Sequence, residues 1–146
     1  MSGSFIGYFD NCVSNNRITI PAKFQKKFSV ASKKTVVVTL GYGQPHIVIF
    51  PFDYWTALEN KLKKGTDIQS GNLDSYLDYA LEQQLEGPGR IRLQQELLDL
   101  TGIVKEVIIK GEGSFISLWE PNIYRQNRDK KRQELITKSN RSDFLL

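Results

Sequence analysis

Apolar and polar positions along this chain change period several times, and each change marks an element. Residues 5–13, FIGYFDNCV, and 80–85, ALEQQL, read as extended segments. A cluster of turn formers follows each, Ser14-Asn15-Asn16 in one place and Glu86-Gly87-Pro88-Gly89 in the other. These residue types suit positive φ and tight hairpins. Arg17-Ile18-Thr19-Ile20 and Arg90-Ile91-Arg92-Leu93 then alternate with period two, which predicts short strands with one buried face. PAKFQKKF (21–28) and QQELLDLTG (94–102) predict short helices. Pro21 fits a first helical turn, where its missing N–H is no loss, and Gly102 fits a helix stop. TVVVTL (35–40) with IVIF (47–50), and KEVIIK (105–110) with FISLWE (115–120), predict two strand pairs. GYGQP and GEGS join them as hairpin loops.

Two helices are expected between these blocks, over 53–64 and 72–80, with GTDIQSGN (65–72) as a loop. Trp55, Leu58 and Leu62 recur at i, i+3, i+7 and make one apolar face, with Asp53 as the cap. Leu73, Tyr76, Leu77 and Ala80 make the other. Residues 126–146 read as a C-terminal helix and tail. The helix over 122–136 is polar in its second half and is expected to fray into TKSNRSDFLL.

The two blocks repeat each other. At an offset of 73, Arg17, Ile18, Ile20 and Phe24 fall on Arg90, Ile91, Leu93 and Leu97. The offset then shortens to 70, placing Val37-Val38 on Val107-Ile108 and Gly41-Tyr42-Gly43 on Gly111-Glu112-Gly113. At 69, Ile47, Ile49, Phe50 and Trp55 fall on Ile116, Leu118, Trp119 and Tyr124. This ordered series predicts two copies of one unit, 5–56 and 80–125, within a single domain. A unit of this size is too small to bury an adequate core alone, whereas two copies can share one. The expected fold is α+β: a compact mixed barrel with pseudo-twofold symmetry and peripheral helices.

Composition narrows the class. The 146 residues are 40% hydrophobic and 25% charged, as in a folded globular protein. No apolar run approaches the roughly 20 residues of a membrane helix, and no secretory leader is read. One cysteine, Cys12, suits a reducing compartment. The net charge of +4 is unevenly spread. Residues 1–70 hold nine Lys/Arg against four Asp/Glu, 71–120 four against nine, and 121–146 seven against three. That layout suits a basic binding face or head-to-tail association as well as ordinary surface charge.

RITIPAKF (17–24), with its weaker second copy EGPGRIRLQQEL (86–97), the two GxG hairpins and the aromatic before each late helix, resembles the MraZ family of bacterial transcription regulators. That family is a branch of the AbrB-like swapped-hairpin folds. The resemblance covers residues 5–135 and implies a duplicated AbrB-like (SpoVT-AbrB) β-barrel. It further implies a cytoplasmic, nucleoid-associated protein that binds double-stranded DNA as a ring-shaped homo-oligomer. The sites implied are repeated elements before the division and cell-wall gene cluster. The arginine of each family motif maps to Arg17 and Arg90. At the motif's acidic position stand Val13 in the first copy and Glu86 in the second; Asn15-Asn16 replace Lys-Gly, and Gln94 replaces a proline.

Arg17 and Arg90, each presented by a rigid turn, offer a planar five-donor fork to guanine edges or phosphates. The alternative is a structural arginine paired with a carboxylate such as Glu86. Asn15 projects from the turn and could bond a phosphate or an adenine edge, whereas Asn16 is read as structural. Lys23, Lys26 and Lys27, with Lys33 and Lys34 beyond, form either a phosphate-binding strip or a solvated face. Arg92 follows Arg90 at i+2 and joins the patch or an interface. The run RQNRDKKRQ (125–133) is a DNA contact or, more simply, a solvated helix face. Catalysis finds little support: one His, His46, reads as a packed hairpin residue, and no Walker loop, zinc spacing or cofactor motif is present. No small-molecule substrate is expected. A protein-partner module of the AbrB-like antitoxin type is the competing function.

Overall fold

A computed structural model of the chain describes residues 1–32, 34–64 and 73–140. The expected loop at 65–72, Lys33 and the tail from 141 lie outside the described residues. The strands are β1 (Tyr8–Cys12), β2 (Arg17–Thr19), β3 (Thr35–Leu40), β4 (Ile47–Pro51), β5 (Leu81–Gln84), β6 (Arg90–Arg92), β7 (Glu106–Gly111) and β8 (Ile116–Trp119). The helices are α1 (Ala22–Gln25), α2 (Phe52–Lys63), a short α3 over 73–77, α4 (Gln95–Thr101) and α5 (Pro121–Asn140).

Six strands form one sheet in the order β1-β7-β8-β4-β3-β5, and β2 and β6 form a separate ribbon. Every pairing is antiparallel. The order reads the same when the two halves of the chain are exchanged. β1 pairs with β7 of the second half, Tyr8 opposite Lys110, and β5 pairs with β3 of the first, Leu81 opposite Val38. β4 and β8 meet at the centre, Ile47 opposite Leu118 and Ile49 opposite Ile116. The expected closed barrel is not found among the described residues. β2 and β6 take each other as partners, so nothing joins the outer strands β1 and β5, and the sheet stays open.

The sheet is buried on both faces, so its central strands read as continuous apolar runs. On one face Val36, Val38, Ile47, Ile49, Val107, Ile109, Ile116 and Leu118 pack against Ile18 and Ile91 of the ribbon and against Phe24 and Leu97 of α1 and α4. On the other, Val37, Val48 and Phe50 meet Trp55 and Leu62 of α2 and Leu73 of α3, while Ile108 and Trp119 meet Tyr124 of α5. Each fully buried aliphatic side chain contributes about 1.5–3 kcal/mol of transfer free energy.

Several local expectations are refined. Gly102 does end α4, at φ 72°. α2 begins at Phe52, so Asp53 lies in the first turn and does not cap it. Its carboxylate instead accepts hydrogen bonds from Ser2 N–H (2.6 Å), Ser29 Oγ (2.8 Å) and Tyr54 N–H (2.7 Å). Burial alone would raise the Asp53 carboxyl, but these bonds outweigh it and hold the group below its ordinary range. Leu77 faces solvent rather than the core. α5 continues as helix through residue 140 where fraying was expected.

Candidate nucleic-acid interface

The ribbon is built from two hairpins of different length. In the first, Arg17 N–H donates to Ser14 O (3.0 Å) and Ser14 N–H to Arg17 O (2.9 Å), closing a two-residue loop. Asn15 (φ 52°) and Asn16 (φ 58°) both take left-handed backbone, the geometry of a type I′ turn. In the second, Arg90 N–H donates to Glu86 O (2.8 Å) and Glu86 N–H to Arg90 O (2.9 Å) around Gly87-Pro88-Gly89. The loop of the second hairpin is thus one residue longer. The residue facing the arginine across the turn is Ser14 in one case and Glu86 in the other. Fixed spacing had put Val13 at the acidic position; the shorter first loop shifts the frame, and Val13 packs against the core.

The hairpins lock to each other. Ile20 N–H donates to Gly89 O (2.8 Å), and Leu93 N–H donates to Asn16 O (2.7 Å), two bonds related by the offset of 73. Gln25 of α1 reaches over the second turn, donating from Nε2 to Ile20 O (2.6 Å) and Pro88 O (2.8 Å). Side-chain amides hold the outer ends of both strands: Asn11 Nδ2 donates to Thr19 O (3.0 Å) and Gln83 Nε2 to Arg92 O (2.9 Å).

Across the ribbon Arg17 stands opposite Arg92, Ile18 opposite Ile91 and Thr19 opposite Arg90. Because strand side chains alternate, the two isoleucines enter the core while Arg17, Thr19, Arg90 and Arg92 share the outer face. Two arginines directly opposed cost stability without a neutralising group. Among the described residues the ion pairs are Lys110–Glu112 and Arg128–Asp129, so none neutralises a ribbon arginine. Arg17 Nη1 donates instead to the carbonyl of Asn15 (3.2 Å). A polar surface groove of about 460 Å³ is lined by Cys12, Ser14, Asn15, Arg17, Thr19, Glu86 and Arg90.

Of the residues singled out in the sequence, Arg17, Arg90 and Asn15 therefore converge on one groove, and Arg92 adds charge beside it on the same ribbon face. Lys23 does not join them; it lies exposed on α1 with Ser4, Ile6 and Lys27 around it. Thr19 and Cys12 were missed as groove residues. Period-two alternation from Arg17 could have found Thr19, and counting back from the two-residue loop closed by Ser14 and Arg17 could have found Cys12 across from it. His46 is packed as expected: its ring stacks on Trp119 at 4.3 Å and its Nδ1 lies 2.7 Å from Gln44 O. Burial lowers its pKa. The basic helix α5 packs on the sheet face opposite the ribbon, and of its charged run Arg125 alone lines a pocket that shares Cys12 with the groove.

The fold and the groove define a class: an α+β chain that presents two interlocked, arginine-tipped hairpins. No family model matches the chain. The chain is similar to curated proteins named transcriptional regulator MraZ. It is 29% identical to the one from Sodalis glossinidius over 123 residues, covering 82% of this chain and 81% of that one. The Shewanella sediminis protein is 25% identical over 128 residues, 86% and 84% of the two chains. The one from Shewanella oneidensis is 26% identical over 144 residues, 93% and 95%. The resemblance to the MraZ family is thereby shown along nearly the whole chain. No described helix is long and apolar enough to cross a membrane.

Proposed function

We propose that this chain is a sequence-specific, double-stranded-DNA-binding transcriptional regulator. The observation that carries this reading is the convergence of Arg17 and Arg90 on one exposed groove, with no carboxylate among the described residues within ion-pair distance of either and Arg92 on the same face. Backbone bonds on both sides of each turn fix the ribbon, so its main chain has little conformational freedom to lose on binding, although the arginine side chains must still be ordered. Forks of this kind pair in two-point fashion with guanine edges and with phosphates. The similarity to named transcriptional regulators supports the same reading.

The finer proposal follows the resemblance. The two halves, 5–56 and 80–125, are copies of an AbrB-like unit; the reciprocal pairing of β1 with β7 and β5 with β3 supports this. One ribbon per subunit gives a small contact. A ring-like homo-oligomer on repeated sites would raise affinity through effective concentration. Its targets would be repeats before the division and wall gene cluster, with the protein cytoplasmic and at the nucleoid. No cofactor or catalytic step enters this reading.

The test is a titration of the gene's own upstream duplex at fixed salt. Arg17→Ala should weaken binding by roughly 1–3 kcal/mol, with circular dichroism and melting unchanged. Wild-type protein that shows no salt-dependent binding to any duplex would end the proposal and favour the antitoxin-like partner module.

A further inference from the structure

The two hairpin mouths present the same cation beside different partners. Across the first turn Arg17 faces Ser14, a small neutral hydroxyl; across the second Arg90 faces Glu86, a carboxylate. Both pairs line the one groove, so its wall carries two guanidinium groups and a single acid. That acid does not serve as a fixed counter-ion. It is exposed, and among the described residues no Lys or Arg nitrogen approaches it within 4.0 Å. Its main chain is anchored at the turn, since Glu86 N–H donates to Arg90 O at 2.9 Å and Gly89 N–H donates to Glu86 O at 3.0 Å, so the side chain is tethered at the groove wall.

A negative charge on the wall of a phosphate-attracting groove acts against binding of any duplex. It repels phosphate wherever the backbone lies close, and this term has no dependence on sequence. A carboxylate also accepts hydrogen bonds from amino donors, and in the major groove the cytosine N4 amino group is its usual match. A target that places such an amino group against Glu86 recovers what the charge costs; an unrelated duplex does not. Discrimination arises in this way from a penalty on wrong partners as much as from attraction to the right one.

We infer that Glu86 is a specificity-determining residue of the groove, suppressing binding to unrelated duplex and accepting a hydrogen bond from a base amino group in the chosen target. Ser14, in the matching position of the first hairpin, imposes no such selection. The groove therefore reads its target from one side. This inference rests on the DNA-binding reading above.

The experiment first lets full-length wild-type protein select duplexes from a random pool. It then measures wild type, Glu86→Gln and Glu134→Gln, the same loss of charge on α5 outside the groove, on the selected duplex and on a scrambled one of equal length. Glu86→Gln should tighten binding to the scrambled duplex by about threefold to tenfold and steepen its salt slope by up to about one unit, as loss of one repelling charge requires. The ratio of selected to scrambled affinity should fall, and a repeat selection with Glu86→Gln should lose the preference for cytosine or adenine at one position. Glu134→Gln should leave the ratio unchanged. If Glu86→Gln weakens both duplexes alike, or leaves ratio and salt slope as in wild type, Glu86 is structural and the inference is overturned while the DNA-binding reading stands. If the wild type selects no duplex at all, both fall.

Discussion

The hairpin at Ser14–Arg17 and the hairpin at Glu86–Arg90 do the same structural work with different chemistry. Both place an arginine at the start of a three-residue strand, and both accept a strand-end N–H from the other half, Leu93 to Asn16 O and Ile20 to Gly89 O. Yet the first turn is made by two asparagines in left-handed backbone, and the second by two glycines around a proline. The first is faced by a hydroxyl and the second by a carboxylate. What the halves hold in common is backbone pairing and buried isoleucine. What separates them is the turn chemistry and the residue facing each arginine, exposed at Ser14 and Glu86 but constrained by Gln25 at the buried Gly89.

The comparison breaks most easily in the core. Ile18 and Ile91 are each 1% exposed and oppose each other across the ribbon. Ile18→Ala and Ile91→Ala should each cost about 2–5 kcal/mol in urea unfolding, by lost transfer energy and an unfilled cavity. Costs that differ by much more than about 1 kcal/mol would show that the halves are not equivalent in packing.

The turns should respond unequally. Gly89 has φ 102°, and a Cβ there would collide with the Gln25 side-chain amide that bridges to Pro88 O. Gly89→Ala should therefore destabilise by about 1–3 kcal/mol. Asn16→Gly relieves left-handed strain but loses the 3.2 Å bond from Asn16 Nδ2 to Gln95 Oε1, so its net effect should lie within about 0.5 kcal/mol of zero. Equal costs would mean that the two turns are held in the same way.

The smallest effect concerns a pair of aromatic contacts. His46 stacks on Trp119, and at the matching place Phe115 packs on Phe50 with ring centroids 5.2 Å apart. One half thus uses a titratable ring where the other uses benzene. Burial pushes the His46 imidazole below its ordinary 6.5; the Gln44 carbonyl and Glu112 oppose that shift, while Lys131 and Lys110 add to it. The unfolded chain then binds the proton first. Stability is full above about pH 6.5 and declines as pH falls toward the lower folded-state pKa. Melting temperature followed from pH 7.5 to 5 should show this decline, and His46→Phe should flatten it. The Asp53 carboxyl loses its contribution only at lower pH, below its ordinary 3.8, so the two losses separate.

Strand positions were legible because apolar runs and turn residues are local. TVVVTL became β3 without change, and the two arginine strands fell where alternation put them. The open sheet was not legible, because partner choice between β1, β7, β2 and β6 is decided by contacts far apart in the chain. The site was half legible. Repetition flagged Arg17 and Arg90, but the one-residue difference in loop length defeated fixed spacing, so Val13 was aligned where Ser14 stands. Lys23 looked like a neighbour of Arg17 by sequence distance, yet the turn into α1 carries it away. Helix α5 runs about one turn past its expected end at 136; Lys130 through Leu135 are good helix formers, but Thr137, Ser139 and Asn140 are not, so local propensity does not account for the added turn.

The reciprocal strand exchange has a consequence for how the chain is made. β1 emerges from the ribosome early, but its partner β7 lies about a hundred residues later. The first half consequently waits, its sheet edge unsatisfied, until most of the second half has been synthesised, and the long loop closure this demands makes folding slow. Severed at the linker, neither piece owns a complete sheet. Mixed together, each would supply the strand that the other lacks.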